Sequence, residues 1–349
     1  MEIRSATEAE LAALVEMQRL IFRPNEAAEA AHPRYWSYIH EEPTYRLDQS
    51  RIVFDQGRIV AHLRVWDRSI RLRGEVLRVG GIGSVMTHPE CLGQGYASAL
   101  LRDTEDYLLE GGYDLGMLFT IIGTAFYDRL GWIPIALPTF VLPRAQILPM
   151  GSLEGRIRPL DASQDLLTVK TLYDQYTATM DGVETRPQAY WTSGPSGYRG
   201  VFPLWGVEVA GKLVAYCNFA VEDERIWIKE ACALPAYETA YEALANKVLT
   251  TVRETGKTCL EGSLPIGHSF IKYLETAVGT SSQWGCHDEM MVKGINWQSL
   301  SERFGCAEEV PADEAAFWQQ LFGGGEQTAA WAQTLPASVG PFYWWSDIF

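Results

Sequence analysis

The chain is predicted to be of mixed α/β (α+β) class: two tandem domains, each a central mixed sheet flanked by helices, plus a short C-terminal segment. Three observations lead there. At 349 residues the chain is longer than a single hydrophobic core serves. The element order strand, helix, helix, three strands, helix, strand, helix, strand over 1–145 recurs over 151–297 without a sequence repeat. Between Gly80 and Leu101 the hydrophobic period switches from that of a strand to that of a helix across the turn Gly93-Gln94-Gly95.

In chain order, Glu2–Ser5 is a short strand. Ala9–Phe22 is an amphipathic helix, with Leu11, Leu14, Met17, Gln18 and Ile21 toward one side, and Thr7 and Glu10 are spaced as a capping box. Ala30–His40, rich in aromatics, is a second helix. Arg51–Phe54, the turn Asp55-Gln56-Gly57, Ile59–Trp66, a break and Ile70–Gly80 read as an antiparallel meander. The strand Ile82–Thr87 follows, ended by Pro89, which cannot donate a ladder hydrogen bond. A helix runs from Ala97 to near Gly111, and Leu115–Thr120 is a buried strand. Ala125–Tyr127 is a short helix closed by Gly131, and Phe140–Leu142 is expected to complete the first sheet.

The second round reads Ile157–Pro159 (strand), Gln164–Thr179 (helix), Trp205–Val209 and Leu213–Phe219 (hairpin), and Arg225–Ala233 (strand). Tyr237–Gly256 (helix), Thr258–Leu264 (strand) and Phe270–Val278 (helix) follow, and Met290–Gly294 is expected to end the set. Its strand-to-helix link, Leu234-Pro235-Ala236-Tyr237-Glu238, lacks the Gly-x-Gly of the first. In 298–349, Glu314–Leu321 and Ala329–Leu335 have helical character around Gly323-Gly324-Gly325. Gly340–Phe349 holds five aromatic residues, which favours a docked tail over a free one.

Apolar content of 47% and charged content of 21% are those of a globular protein. No run of about 18 apolar residues occurs, and no basic-then-apolar leader opens the chain, so a cytoplasmic protein with no membrane partner is expected. The six cysteines (91, 217, 232, 259, 286 and 306) form no Cys-x-x-Cys pair and the six histidines are scattered, so reduced thiols and no metal site are expected. A net charge of −15 argues against nucleic acid and favours cationic partners. A homo-oligomer is compatible with this composition.

The glycine turn is where chemistry concentrates. Gly93 and Gly95 allow a tight turn and close backbone approach. The start of the following helix presents unpaired N–H groups and the positive end of its dipole, a place for an anion such as a pyrophosphate. Ser98 stands where the dinucleotide fingerprint needs glycine, and no Gly-Lys-Ser/Thr follows, so neither nucleotide motif is met.

Three stretches, Val85-Met86-Thr87-His88-Pro89-Glu90, Gly93-Gln94-Gly95-Tyr96-Ala97-Ser98 and Ala125-Phe126-Tyr127-Asp128-Arg129-Leu130-Gly131-Trp132, resemble the GNAT superfamily of acetyl-CoA-dependent N-acetyltransferases. Glu90 stands where that family has Gln or Arg, and Leu92 where a basic residue is frequent. The resemblance implies 1–145 as a catalytic GNAT domain and 151–297 as a second, degenerate one without a cofactor loop. It implies acetyl-CoA as co-substrate, with no metal. Val85, Met86 and Thr87 would pair with the pantetheine arm, and Gly93, Gln94, Gly95, Tyr96, Ala97 and Ser98 would hold the pyrophosphate. Tyr127 would be the general acid toward the departing thiolate. Tandem domains with an aromatic tail resemble the Eis-type (enhanced intracellular survival) acetyltransferases. That resemblance implies a tail docked toward the active site, the α-carboxylate of Phe349 taking part there, and a primary amine of a cationic small molecule or peptide as acceptor. The third segment, at about 50 residues, is shorter than in that family. Asp347, His32 and His88 are further candidates, and Cys91 on the loop would face the wrong end of the cofactor for a nucleophile. Two alternatives stay open: a non-catalytic acetyl-CoA-binding regulatory protein, and a longer-chain acyltransferase of the same fold.

Overall fold

The structure, a computed structural model, describes residues 1–143, 155–192, 204–306 and 313–322. In chain order the first part contributes β1 (Glu2–Ser5), α1 (Leu11–Phe22), α2 (Ala28–His40), β2 (Ser50–Asp55), β3 (Arg58–Leu72), β4 (Glu75–Thr87), α3 (Tyr96–Glu110), β5 (Leu115–Phe119), α4 (Ala125–Asp128), β6 (Ile133–Pro134) and β7 (Leu137–Pro143). The second contributes β8 (Arg156–Pro159), α5 (Leu166–Thr177), α6 (Gln188–Thr192), β9 (Trp205–Val209), β10 (Lys212–Val221), β11 (Arg225–Ala233), α7 (Ala240–Thr255), β12 (Cys259–Gly262), α8 (Ser269–Val278), β13 (Gln283–His287) and β14 (Met290–Gly294). Two helices, α9 (Trp297–Phe304) and α10 (Glu314–Phe322), follow. The Thr7–Glu10 capping box is present, on a single 3-10 turn ahead of α1.

Two seven-stranded mixed sheets result, ordered β1-β2-β3-β4-β5-β14-β6 and β13-β7-β12-β11-β10-β9-β8. They exchange one strand each. Phe140–Leu142, expected to complete the first sheet, lies in the second, where β7 pairs antiparallel with both β12 and β13. Met290–Gly294, expected to end the second set, lies in the first, antiparallel to β5 and β6. Both are short apolar runs that suit the interior of either sheet, so hydrophobic pattern alone does not choose the partner.

The expected break between Trp66 and Ile70 does not exist. β3 and β4 form one long hairpin, turning at Arg73 (φ +52°) and Gly74 (φ +84°), the two left-handed residues of a type I′ turn. Polar residues that read as a break are buried in pairs within the strand: Arg68 is 5% exposed and lies 3.1 Å from Glu42 and 3.4 Å from Glu184. The hairpin tip joins the two halves of the chain. The Arg73 N–H donates to Asp181 at 2.6 Å, and its guanidinium donates to the carbonyls of Gln320 and Leu321.

Two cores flank the first sheet. On one face, Leu100, Leu101 and Leu108 of α3 pack on Val53, Leu63, Val65, Ile82 and Leu118. On the other, Leu300 and Phe304 of α9 and Phe317, Trp318 and Leu321 of α10 cover Leu77, Val79, Leu115 and Met117. Each such fully buried side chain contributes roughly 1.5–3 kcal/mol of burial, so the C-terminal helices are part of the first domain's stability. Among the described residues no helix is long and apolar enough to cross a membrane.

Candidate active site

The site begins with a defect in β4. The strand pairs in parallel with β5 only from Val79↔Leu115 to Ile82↔Leu118. On its other side the register with β3 slips, from Arg64↔Gly83 to His62↔Met86, so β4 carries one extra residue there. Ser84 takes a left-handed φ of +50°. A bulge bends the bulged strand, and past it Val85, Met86 and Thr87 have no β5 partner. Their β5-facing edge is available to an extended amide-bearing ligand that adds itself as a strand. The Met86 side chain is buried, whereas Val85 and Thr87 are half-buried.

After Thr87 a single turn, Pro89–Cys91, leads to the glycine loop. Gly93 (φ +75°) and Gly95 (φ +83°) both hold conformations that suit glycine, and a Cβ added at either would meet no atom within 4 Å. Gly95 is the N-cap of α3 and offers no side chain to the first turn. The first N–H to find a helical carbonyl is that of Ala99, on Gly95 at 3.0 Å. The amides of Tyr96, Ala97 and Ser98 therefore face an open cradle at the positive end of a 15-residue helix. The Tyr96 hydroxyl donates to Asp55 at 2.6 Å and fixes this end against the β2–β3 turn. The residues fit a pyrophosphate-bearing acyl carrier at both tests, the amide cradle and the free strand edge.

Beside the loop, Arg58 of β3 donates to Glu90 at 2.8 Å and to the Cys91 sulfur at 3.5 Å. The cation absent from positions 90 and 92 is thus present in space, delivered from another strand. Cys91 is buried. His88 accepts the Glu90 N–H at 3.4 Å and acts as a cap, and His32 is bonded to Glu16 at 2.7 Å on the far helices.

Tyr127 sits on the four-residue α4, 6% exposed, packed with Leu118, Trp132 and Met291 and edge-on to Phe126 at 4.9 Å. Burial pushes its phenol up to about 12. The turn after it is held by Lys293 of β14, whose ammonium donates to the Leu130 carbonyl at 2.6 Å and to Glu105 at 2.8 Å. Met291 and Lys293, from the exchanged strand, are supports that the local sequence around Tyr127 does not announce. Phe349, Asp347 and the expected tail helix Ala329–Leu335 lie outside the described residues.

A split strand edge, an amide cradle and a buried tyrosine on the helix after β5 are brought together within one domain. Residues 2–135 match the model of the acetyltransferase (GNAT) domain, and this domain belongs to the GNAT acetyltransferases. A stretch of 92 residues is 34% identical to aminoglycoside 2'-N-acetyltransferase of Mycolicibacterium fortuitum, covering 26% of this chain and 47% of that protein, so the match spans about half of the relative's length. The fold of the whole chain is similar to that of Eis1 from Mycobacterium abscessus, with a TM-score of 0.67 at 15% identity over 100% of both chains. It is similar as well to a probable N-acyltransferase from Enterococcus faecalis V583, with a TM-score of 0.70 at 15% identity over 87% of this chain and 75% of that one. The tandem arrangement expected from element order is the arrangement found.

Proposed function

We propose that the protein is an acetyl-CoA-dependent N-acetyltransferase that moves an acetyl group to a primary amine of a cationic small molecule or peptide, by direct attack within a ternary complex. The observation that carries this reading is the continuity of the free β4 edge, Val85–Thr87, with the Gly93–Ser98 cradle. Together they offer one extended track for an amide-rich arm ending in a pyrophosphate. Acetyl-CoA supplies the activated thioester. Gly93, Gln94, Gly95, Tyr96, Ala97 and Ser98 hold its phosphates, and Val85, Met86 and Thr87 align its arm.

Tyr127 is the hydrogen-bond donor and acid for the departing sulfur. Raised to about 12, its phenol is protonated throughout the physiological range. Against a thiol near 8.5, complete transfer from it is uphill by about 3.5 pH units, so its contribution is a hydrogen bond that strengthens as negative charge develops on sulfur. The Phe349 carboxylate, at an ordinary value of about 3.5, suits holding the cationic acceptor or a water rather than removing the proton of an ammonium.

The test is CoA release from acetyl-CoA across aminoglycosides, polyamines and basic peptides, with wild type beside Tyr127→Phe and a chain lacking Phe349. Turnover that falls in both variants supports the full reading. Turnover insensitive to the deletion removes the tail's role, and tight acetyl-CoA binding with no turnover on any amine overturns the enzyme in favour of a binding protein.

A further inference from the structure

This inference rests on the acetyltransferase reading and concerns what else the acceptor must carry. Along β3, Leu63 and Val65 face α3, so His62, Arg64 and Trp66 lie on the opposite face, toward α2. Arg64 pairs in register with Gly83, immediately before the bulge, and is 3% exposed. Its guanidinium is fixed on three sides. Nη1 donates to the Tyr38 carbonyl of α2. The Trp66 ring lies 3.6 Å and the Tyr45 ring 4.6 Å from its central carbon.

The fourth side is bare: among the described residues Nε and Nη2 have no hydrogen-bond partner. Those two N–H groups lie parallel on one edge and match the two oxygens of a carboxylate. Among the described residues, Glu42 and Glu184 both lie on Arg68. Burial lowers the Arg64 guanidinium to about 10, with the field of Glu42 working in the other direction. Unmade hydrogen bonds on a buried cation are costly. Tyr38 and Tyr45, which border the guanidinium, are themselves half-buried.

We propose that Arg64 is an acceptor-specificity residue whose Nε/Nη2 edge binds a carboxylate of the substrate. The acceptor class is then a cationic amine that also carries a carboxylate, as in a basic amino acid or the C-terminal residue of a basic peptide. Trp66 and Tyr45 keep the fork planar and aimed, and the acetylated amine is the one at the other end of the same molecule.

The experiment uses three amines of one skeleton, lysine, lysinamide and cadaverine, in CoA-release assays with wild type, Arg64→Lys and Arg64→Met. The wild type is expected to prefer lysine by about tenfold or more in kcat/KM, mainly through KM. The preference falls toward unity in Arg64→Met and is partial in Arg64→Lys, which keeps the charge and loses the fork. Equal use of the three amines by wild type overturns the inference and leaves the acetyltransferase standing. So does a lysine preference that survives undiminished in Arg64→Met with an unchanged melting temperature. No turnover on any of them, or on the wider panel above, overturns the acetyltransferase. The fork is then read by calorimetric titration of lysine against lysinamide into the CoA-saturated protein. Selective lysine binding that Arg64→Met abolishes supports it, and indifference overturns it.

Discussion

Both domains build the same split in their sheet, and only one leaves it open. In the first, β4 leaves β5 after Ile82, and three residues on, Val85 has a free edge. In the second, β11 leaves its parallel partner β12 after Ile228, with a register slip at Lys229, and three residues on stands Ala231. There the edge is occupied. His268 sits 3.1 Å from the Ala231 carbonyl and 2.7 Å from the Tyr176 hydroxyl, and Tyr241 packs against the His268 ring at 5.2 Å. The link to the next helix is Pro235–Tyr237 in place of the glycine cradle, and Glu242 puts an acid in the first turn of α7. The backbone defect is therefore a property of the fold. Side chains decide whether it is an open edge or a filled seam.

Four changes break or sharpen this contrast. The largest effect is expected at Tyr127→Phe, which lowers kcat by about 100-fold or more with little change in KM, whereas Tyr241→Phe in the filled seam lowers the melting temperature and leaves kcat. On the proposed role the protonated phenol is the working form, so wild-type kcat is expected to show no alkaline loss from this group until pH approaches about 12. Gly95→Val places a β-branched residue at φ +83° and a side chain in the cradle. It is expected to raise the KM for acetyl-CoA by about 30-fold, while Ala236→Val in the second link moves it less than about twofold.

Third comes acid stability. Burial lowers His268 to about 4 and His62 to about 3. A folded value below the unfolded one of about 6.5 gives stability that is full above pH 6.5 and is lost as pH falls toward 4. Urea denaturation is expected to show roughly 3–5 kcal/mol lost between pH 7.5 and pH 4.5, with a shallower fall in His268→Gln. The smallest effect belongs to Ser84→Gly, which relieves the left-handed residue of the open bulge. It is expected to raise stability by about 0.5–1 kcal/mol with kcat within about twofold; a large loss of activity would show that the serine side chain takes part.

Much of this was legible in the residues. The period change across Gly93-Gln94-Gly95 located the cradle, and element order located the tandem domains. Three things were not legible, each for a physical reason. The bulge at Ser84 depends on register against β3, and no special residue marks it. The exchange of β7 and β14 is a choice between two apolar interiors for two short apolar strands. The burial of Arg64 and Arg68 has no local mark, because Glu42 and Glu184, which pair with Arg68, are distant from it in sequence.

The exchanged strand also sets a schedule for biosynthesis. β14 lies between β5 and β6 and carries the lysine that holds the turn after Tyr127. Vectorial synthesis delivers residues 1–135 well before residue 293, so the nascent first sheet waits with β5 exposing a backbone edge until the second sheet has been made. Contacts of such long separation slow folding and leave an unpaired edge at risk of association. The same geometry makes the candidate site a late product: its last support arrives only when nearly 300 residues have left the ribosome.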